Sequence, residues 1–156
     1  MMEDKKIPEK LYKKIVENMP FCCVDIVVHY KGLVMLVKRK NNPAKGAWWL
    51  PGGRIYKNES LEHAALRKVN EETGIKARIK KRIGVYETMF KKGPFKGLKT
   101  GIHTVNICFL VEPASRRFDV KGFKEKVDYS NYKWISKLEG KMHWYPKRVI
   151  KDSGVL

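Results

Sequence analysis

Two adjacent glutamates, Glu71 and Glu72, are the residues of this sequence best suited to chemistry. They lie in a segment with helical periodicity that follows the glycine pair Gly52-Gly53. Because residues three and four apart share a helix face, Lys68 should lie beside both glutamates, which should point back toward the glycines. Two glycines after a strand allow a tight loop whose backbone approaches a charged ligand. Carboxylate oxygens there suit Mg²⁺, which also keeps substrate phosphates in its shell.

Glu59 and Arg67 flank this helix, and their predicted role is an ion pair that ties the loop to the helix. With that pair, the segment 52–75 resembles the Nudix box. The residues in register are Gly53, Glu59, Arg67, Val69, Glu71, Glu72, Gly74 and Ile75. The resemblance implies an α/β fold, a Nudix α/β/α sandwich with a mixed central sheet and a loop–helix–loop box. It also implies a Mg²⁺ cofactor, with Mn²⁺ as a substitute, held by Gly53, Glu71 and Glu72, and hydrolysis of a nucleoside diphosphate derivative.

Lys68 departs from the box, which has a glutamate after its arginine. That glutamate binds metal and often serves as the base in Nudix hydrolases, and a protonated lysine does neither. One interpretation is an enzyme that binds fewer metals and takes its base from elsewhere. A second is a weakened or non-catalytic relative. In a third, Lys68 itself contacts the substrate phosphate.

Residues upstream of the box resemble a Nudix sub-family, the GDP-mannose mannosyl hydrolases. The resemblance runs from Val24-Asp25 through Arg39 to Pro51-Gly-Gly-Arg54, and returns at Tyr132-Lys133-Trp134. In that sub-family water attacks the anomeric carbon of the sugar, with inversion, and GDP leaves. The resemblance implies that Arg39 and Arg54 clamp the diphosphate and that Asp25 contacts the nucleotide or sugar. A guanidinium fork suits phosphate oxygens.

The late loop, 116–131, would supply the other groups of that sub-family, a metal-coordinating glutamine and a catalytic histidine. A gap-free alignment of the strand that follows places Asp128 at the sequence position of the glutamine, as a metal ligand. The same alignment places Tyr129 at the position of the histidine. An unperturbed phenol titrates near pH 10, so Tyr129 is a poor base, and Glu125 is an alternative. His103 matches another histidine of the sub-family and is a candidate substrate contact, with a structural hydrogen-bonding role as the alternative.

These side chains need elements to position them, and the hydrophobic pattern predicts a strand–helix alternation in one domain, 1–156. An N-terminal helix is predicted over 7–19, from Pro8 to Met19, and the box helix from Ser60 to Thr73, ending at Gly74. The predicted strands are Phe21–Tyr30, Leu33–Lys38, Trp48–Leu50, Ala77–Met89, His103–Glu112 and Tyr132–Ile135. A C-terminal helix is predicted around Pro146–Lys151. The order indicates a mixed sheet with helices on both faces.

The chain is strongly basic, with 34 Lys+Arg against 16 Asp+Glu and a formal charge of +18. Such a charge attracts polyanions. It is consistent with a phosphorylated small-molecule ligand, with nucleic acid binding, and with a basic surface that is only solvated. The three cysteines, with no CxxC pair, predict free thiols and a cytoplasmic protein. No signal peptide or membrane span is predicted. The sub-family resemblance implies a homodimer.

Three functions therefore compete. The first is hydrolysis of a nucleotide sugar such as GDP-mannose. The second is an ordinary Nudix pyrophosphohydrolase that attacks phosphorus in a dinucleotide or nucleoside triphosphate. The third is a catalytically inactive domain that binds nucleotide or RNA, with nucleic acid the less favoured partner.

Overall fold

A computed structural model of the protein describes residues 7–119 and 129–156. Its elements are α1 (Glu9–Asn18), β1 (Phe21–Tyr30), β2 (Leu33–Arg39), β3 (Trp48–Trp49), β4 (Gly52–Arg54), α2 (Leu61–Thr73), β5 (Ala77–Phe90), β6 (Ile102–Pro113), β7 (Tyr129–Ile135) and α3 (Trp144–Ser153). Most of these bounds fall within two residues of the prediction, because β1, β2 and β6 are long and rich in apolar and β-branched residues.

The sheet is mixed, as predicted, and β1 lies at its centre. The main path of strands runs β3-β2-β1-β6-β5. Strand β1 pairs antiparallel with β2 and β4 and parallel with β6, over a register from Phe21 opposite Thr104 to Val28 opposite Val111. Strand β7 pairs antiparallel with β2. The parallel pairing of β1 with β6 brings the first halves of these strands to one edge, where polar residues of both strands meet.

Helices cover both faces of the sheet, which confirms the predicted α/β/α sandwich. Alternate residues of β1 point to opposite faces, as the period of a strand requires. Val24, Ile26 and Val28 pack with Ala64, Ala65 and Val69 of α2. Val27 packs on the other side with Tyr145, Val149 and Ile150 of α3. A third, smaller cluster joins Val16 of α1 to Phe21 and Ile102.

The box helix α2 begins and ends as its sequence predicts. The Ser60 hydroxyl accepts a hydrogen bond from the backbone N–H of His63 at 3.2 Å, which caps the N-terminus. Gly74 ends the helix in the left-handed region, with φ of 73°, and its N–H donates to Asn70 O at 2.8 Å. The helix is therefore fixed at both ends, which sets the direction of Lys68, Glu71 and Glu72.

Two elements differ from the prediction, and a third, α3, contains its predicted residues but is longer. Residues 52–54 form strand β4 on β1, where the sequence predicts a tight loop, because glycine hides the apolar alternation that identifies a strand. Strand β7 begins at Tyr129, three residues early, since the exposed Ser130 and Asn131 resemble loop residues. Helix α3 begins at Trp144, and Pro146 lies inside its first turn, where a missing N–H costs nothing.

Within the described ranges, no helix has both the length and the apolar character needed to cross a membrane. The three cysteines are free thiols, as predicted, with Cys108 buried and Cys22 exposed.

Candidate functional site

A cleft of about 430 Å³ opens beside the first halves of β1 and β6. Its walls combine cationic side chains with aromatic rings, of which Tyr12, Trp49 and Phe90 are examples. The sequence-predicted residues that line it are Asp25, Arg39, Gly53, Arg54, Lys68 and Tyr129. Residues that lie far apart in the sequence thus share one cavity, large enough for part of a nucleotide.

Arg39 and Arg54 present their guanidinium groups to this cleft from β2 and β4. The Nε of Arg39 donates to Pro43 O at 2.7 Å, and its guanidinium carbon lies 5.8 Å from the Trp49 ring centroid. Arg54 lies 5.4 Å from the Tyr12 ring and 5.6 Å from the Tyr56 ring. Neither arginine forms an ion pair with a carboxylate among the described residues. Their remaining N–H donors are therefore available to an anionic ligand.

Arg67 and Glu59 form the predicted ion pair that joins the box loop to α2. Arg67 Nε donates to Glu59 Oε1 at 2.6 Å and Nη2 to Oε2 at 2.8 Å, the bidentate arrangement. The Glu59 side chain is fully buried and that of Arg67 is 13% exposed. Nη2 also donates to Arg54 O at 3.1 Å. Arg67 thereby fixes the strand that carries Arg54, although it faces the cleft with only a small part of its surface.

Lys68 lies between the two box glutamates, as the helix spacing predicts. Its Nζ is 2.5 Å from Glu72 Oε1 and 3.5 Å from Glu71 Oε2. No group of three or more His, Cys, Asp or Glu side chains is positioned to hold a metal ion within residues 7–119 and 129–156. A cation predicted between Gly53, Glu71 and Glu72 would compete with the ammonium for the same oxygens. The arrangement therefore does not fit the metal that the family resemblance implies.

Asp25 lies at the floor of the cleft, where its side chain is held by a residue 120 positions later. The Tyr145 hydroxyl, on α3, donates to Asp25 Oδ2, and Cys108 Sγ lies 3.4 Å from the same hydroxyl oxygen. On the other side Gly52 approaches so closely that a Cβ there would overlap Asp25 Oδ1. Burial raises the pKa of Asp25 to about 7, against the opposing effects of Tyr145, Arg39 and Lys68. The carboxyl group can therefore gain or lose a proton near neutral pH.

We expect Asp25→Asn to stabilise the fold at pH 8. The pKa of Asp25 is 3.8 when unperturbed and about 7 in the folded chain, so the folded state binds the extra proton between these values. The free energy of unfolding therefore decreases as pH rises from about 4 to 7, and the decrease stays constant above pH 7. At about 1.4 kcal/mol for each unit of pKa, a rise of about 3 units corresponds to roughly 4 kcal/mol at pH 8. Urea denaturation of both proteins at pH 4.5 and pH 8 measures it, and an equal difference at the two pH values contradicts it.

Two of the other predicted residues, Tyr129 inside the cleft and His103 outside it, contact other groups of the protein. Tyr129, on β7, is only 3% exposed, and its hydroxyl donates to Gly52 O at 3.5 Å, so it supports the glycine strand. His103 does not line the cleft, and its Nε2 lies 3.2 Å from Glu87 Oε2, which agrees with the alternative structural role. Asp128 and Glu125 lie outside the described residues.

Among the residues not found from the sequence are two with buried polar groups. Tyr145, which contacts Asp25 but does not itself line the cleft, is one, because no spacing relates it to Asp25. Asn106 is the other: it is 3% exposed on β6, lines the cleft, and its Nδ2 has no hydrogen-bond partner among the described residues. A single amide inside the apolar run of β6 was the available signal. A buried donor without a partner costs free energy unless a ligand accepts from it.

Comparison with known sequences gives a family match over most of the chain. The NUDIX domain model matches residues 21–152. An ADP-ribose pyrophosphatase of Methanocaldococcus jannaschii is 41% identical over 133 residues, 85% of this chain and 72% of that protein. A low-salt glycan biosynthesis protein Agl8 of Haloferax volcanii is 38% identical over 93 residues, 60% of each chain. The match thus spans less than two thirds of the Haloferax protein.

Solved structures share the fold. A MutT protein from Methanosarcina mazei superposes with a TM-score of 0.66 at 23% identity, covering 88% of this chain and 96% of that one. The NUDIX domain of Shewanella oneidensis NrtR, solved with ADP ribose, gives a TM-score of 0.65 at 22% identity, covering 95% and 97%. At these identities the likeness concerns the architecture.

Proposed function

The chain belongs to the NUDIX domain family, and from that premise we propose that it hydrolyses a nucleoside diphosphate derivative, specifically a nucleotide sugar such as GDP-mannose. One observation carries the proposal: the Arg39, Arg54 and Lys68 side chains line one cleft together with aromatic rings. The cations suit a diphosphate, and the rings suit a base or sugar face. The upstream resemblance and the similarity to a glycan biosynthesis protein support the sugar.

The proposed mechanism relies on charge stabilisation of the leaving diphosphate. The hydrogen bond from Arg39 Nε to Pro43 O fixes the position of this guanidinium group. A donor held in place by the protein does not have to reorient when negative charge develops on the phosphate oxygens. Asp25, whose pKa of about 7 lets it accept a proton at neutral pH, is the candidate acceptor for the proton of the attacking water. A divalent metal would supply further charge stabilisation in this family, and no step here is assigned to it.

An ordinary pyrophosphohydrolase is the second candidate, and one observation favours it. The relative with the longest match reported above is described as an ADP-ribose pyrophosphatase. Attack on phosphorus needs the same diphosphate clamp, so the cleft accommodates either reaction. The difference lies in which atom the water reaches.

Product analysis in oxygen-18 water separates the candidates. GDP-mannose and ADP-ribose are incubated with the protein, with Mg²⁺ and separately with EDTA, and the products are identified by mass spectrometry. Label in free mannose, with unlabelled GDP, supports attack on carbon. Label in a phosphate overturns the nucleotide-sugar mechanism and supports the pyrophosphohydrolase. Binding without turnover of either compound supports the inactive nucleotide-binding domain.

We expect Asn106→Leu to weaken substrate binding while leaving the fold intact or more stable. The unsatisfied Nδ2 costs about 1–3 kcal/mol in the free protein, and an accepting substrate atom recovers it. The variant should therefore bind the best substrate about tenfold more weakly. Isothermal titration calorimetry and thermal unfolding measure the two effects. Asn70→Leu, on the exposed face of α2, is the control, and equal losses in both variants contradict a role for Asn106 in the cleft.

A further inference from the structure

Lys68 occupies the place at which a Nudix box holds its cation. Its side chain is 12% exposed, and that of Glu72, its nearest partner at 2.5 Å, is 4% exposed. A Cβ added to Gly53 would lie 2.7 Å from Lys68 Cε and 3.1 Å from Nζ. The lysine chain therefore lies directly against the Gly53 backbone and fills the space between the glycine strand and α2.

Cationic side chains of the protein already contact both box carboxylates. Glu72 contacts Lys68, and Glu71 contacts both Lys68 at 3.5 Å and Arg67 Nη1 at 3.1 Å. Because Arg67 also pairs with Glu59, three carboxylates thus face two cationic side chains. Burial acts against the ammonium, but Glu72 and Glu71 outweigh it and raise the pKa of Lys68 above its usual value.

A divalent ion would disturb this arrangement. Mg²⁺ binds carboxylate oxygens at about 2.0–2.1 Å and requires near-octahedral geometry. An ion at Glu72 Oε1 would lie beside the ammonium that already contacts this oxygen, so like charges would repel. The missing box glutamate also removes one of the carboxylates that would compensate for the repulsion.

We propose that Lys68 is a built-in cation that binds the substrate diphosphate without a divalent metal. An ammonium has three donors, and the contacts with Glu71 and Glu72 use two of them. Lys68 lines the cleft with Arg39 and Arg54, so its remaining donor and its charge serve an anion there. The choice of a diphosphate as ligand rests on the proposed function, whereas the displacement of metal by Lys68 does not.

Binding of ADP in EDTA tests the diphosphate part. Calorimetry should give a Kd in EDTA within about threefold of that in Mg²⁺, and Lys68→Met should raise the Kd in EDTA about tenfold or more. Lys137→Met, an exposed lysine outside the cleft, should change it less than about twofold. A wild-type protein that binds ADP only with Mg²⁺, or an unchanged Kd in Lys68→Met, overturns the proposal. If Lys68→Met does not fold because Glu72 loses its Lys68 contact, Lys68→Met with Glu72→Gln replaces it.

Direct metal binding tests the displacement. Free Mn²⁺, followed by electron paramagnetic resonance, should bind the wild type at least about tenfold more weakly than Lys68→Glu, which restores the box acid. Equal affinity in the two proteins overturns the displacement. ADP binding in EDTA without turnover of any nucleotide sugar would leave this inference standing and remove the proposed function, so the two fail separately.

Discussion

Replacing Arg39 and Arg54 together with methionine should reduce kcat/KM for the preferred nucleotide sugar by about a thousandfold. Each guanidinium contributes on the order of 2 kcal/mol through charged hydrogen bonds to phosphate, and the two losses add to roughly 4 kcal/mol. Methionine retains much of the length and apolar stem of arginine, so contacts with Trp49 and Tyr12 persist. Steady-state kinetics measure the loss, and unchanged thermal unfolding shows that the fold is retained.

The control must remove the same charge elsewhere, because a chain of charge +18 attracts anions at long range. Arg78→Met with Arg117→Met changes the net charge equally, at two exposed positions outside the cleft. We expect this control to lose less than about threefold, and less still at higher salt. A comparable loss in both double variants would mean that the cleft arginines act only through net charge.

Arg67→Met should destabilise the fold by about 3–5 kcal/mol, because it leaves the fully buried Glu59 carboxylate without its bidentate partner. It also removes the Arg67 donor to Arg54 O. In a domain of this size each kcal/mol lowers Tm by about 2–4 °C, so a decrease on the order of 10 °C is expected. Differential scanning calorimetry measures the change.

An exposed pair that joins the same helix, α2, to strand β5 provides the comparison. Arg82 Nη2 lies 2.8 Å from Glu62 Oε1, a distance close to those of the buried pair, but the side chains are 51% and 50% exposed. Arg82→Met should therefore cost less than about 1 kcal/mol. If the two variants lose equal stability, burial of the Glu59–Arg67 pair has no special effect.

The box was predictable because its information is local. Ser60 and Gly74 cap a helix whose spacing alone places Lys68 beside Glu71 and Glu72, and the Glu59–Arg67 pair follows from the same register. Arg39 and Arg54 were predicted as cleft residues by resemblance, and the structure brings them to one cavity. Each of these inferences needed only helix periodicity or a motif.

The remaining features depend on distant packing. The contact of Tyr145 with Asp25 exists because α3 covers the same face of the sheet that β1 presents at Asp25, and no local pattern encodes that pairing. Strand β4 was missed because glycines carry no hydrophobic alternation. His103 matched by sequence, yet the antiparallel β5–β6 register places it opposite Met89, beside Glu87 and away from the cleft.

Trp49 provides an intrinsic fluorescent probe of the cleft. Its indole is 5% exposed, stacks on Tyr145 with ring centroids 5.3 Å apart, and lies beside the Arg39 guanidinium. An anion that draws Arg39 toward itself would change the electrostatic field at the indole, and with it the wavelength and yield of emission. A chain in which Trp48, Trp134 and Trp144 are phenylalanine would retain Trp49 as its only tryptophan. Stopped-flow fluorescence of that protein would then resolve the rate at which ligands arrive and leave.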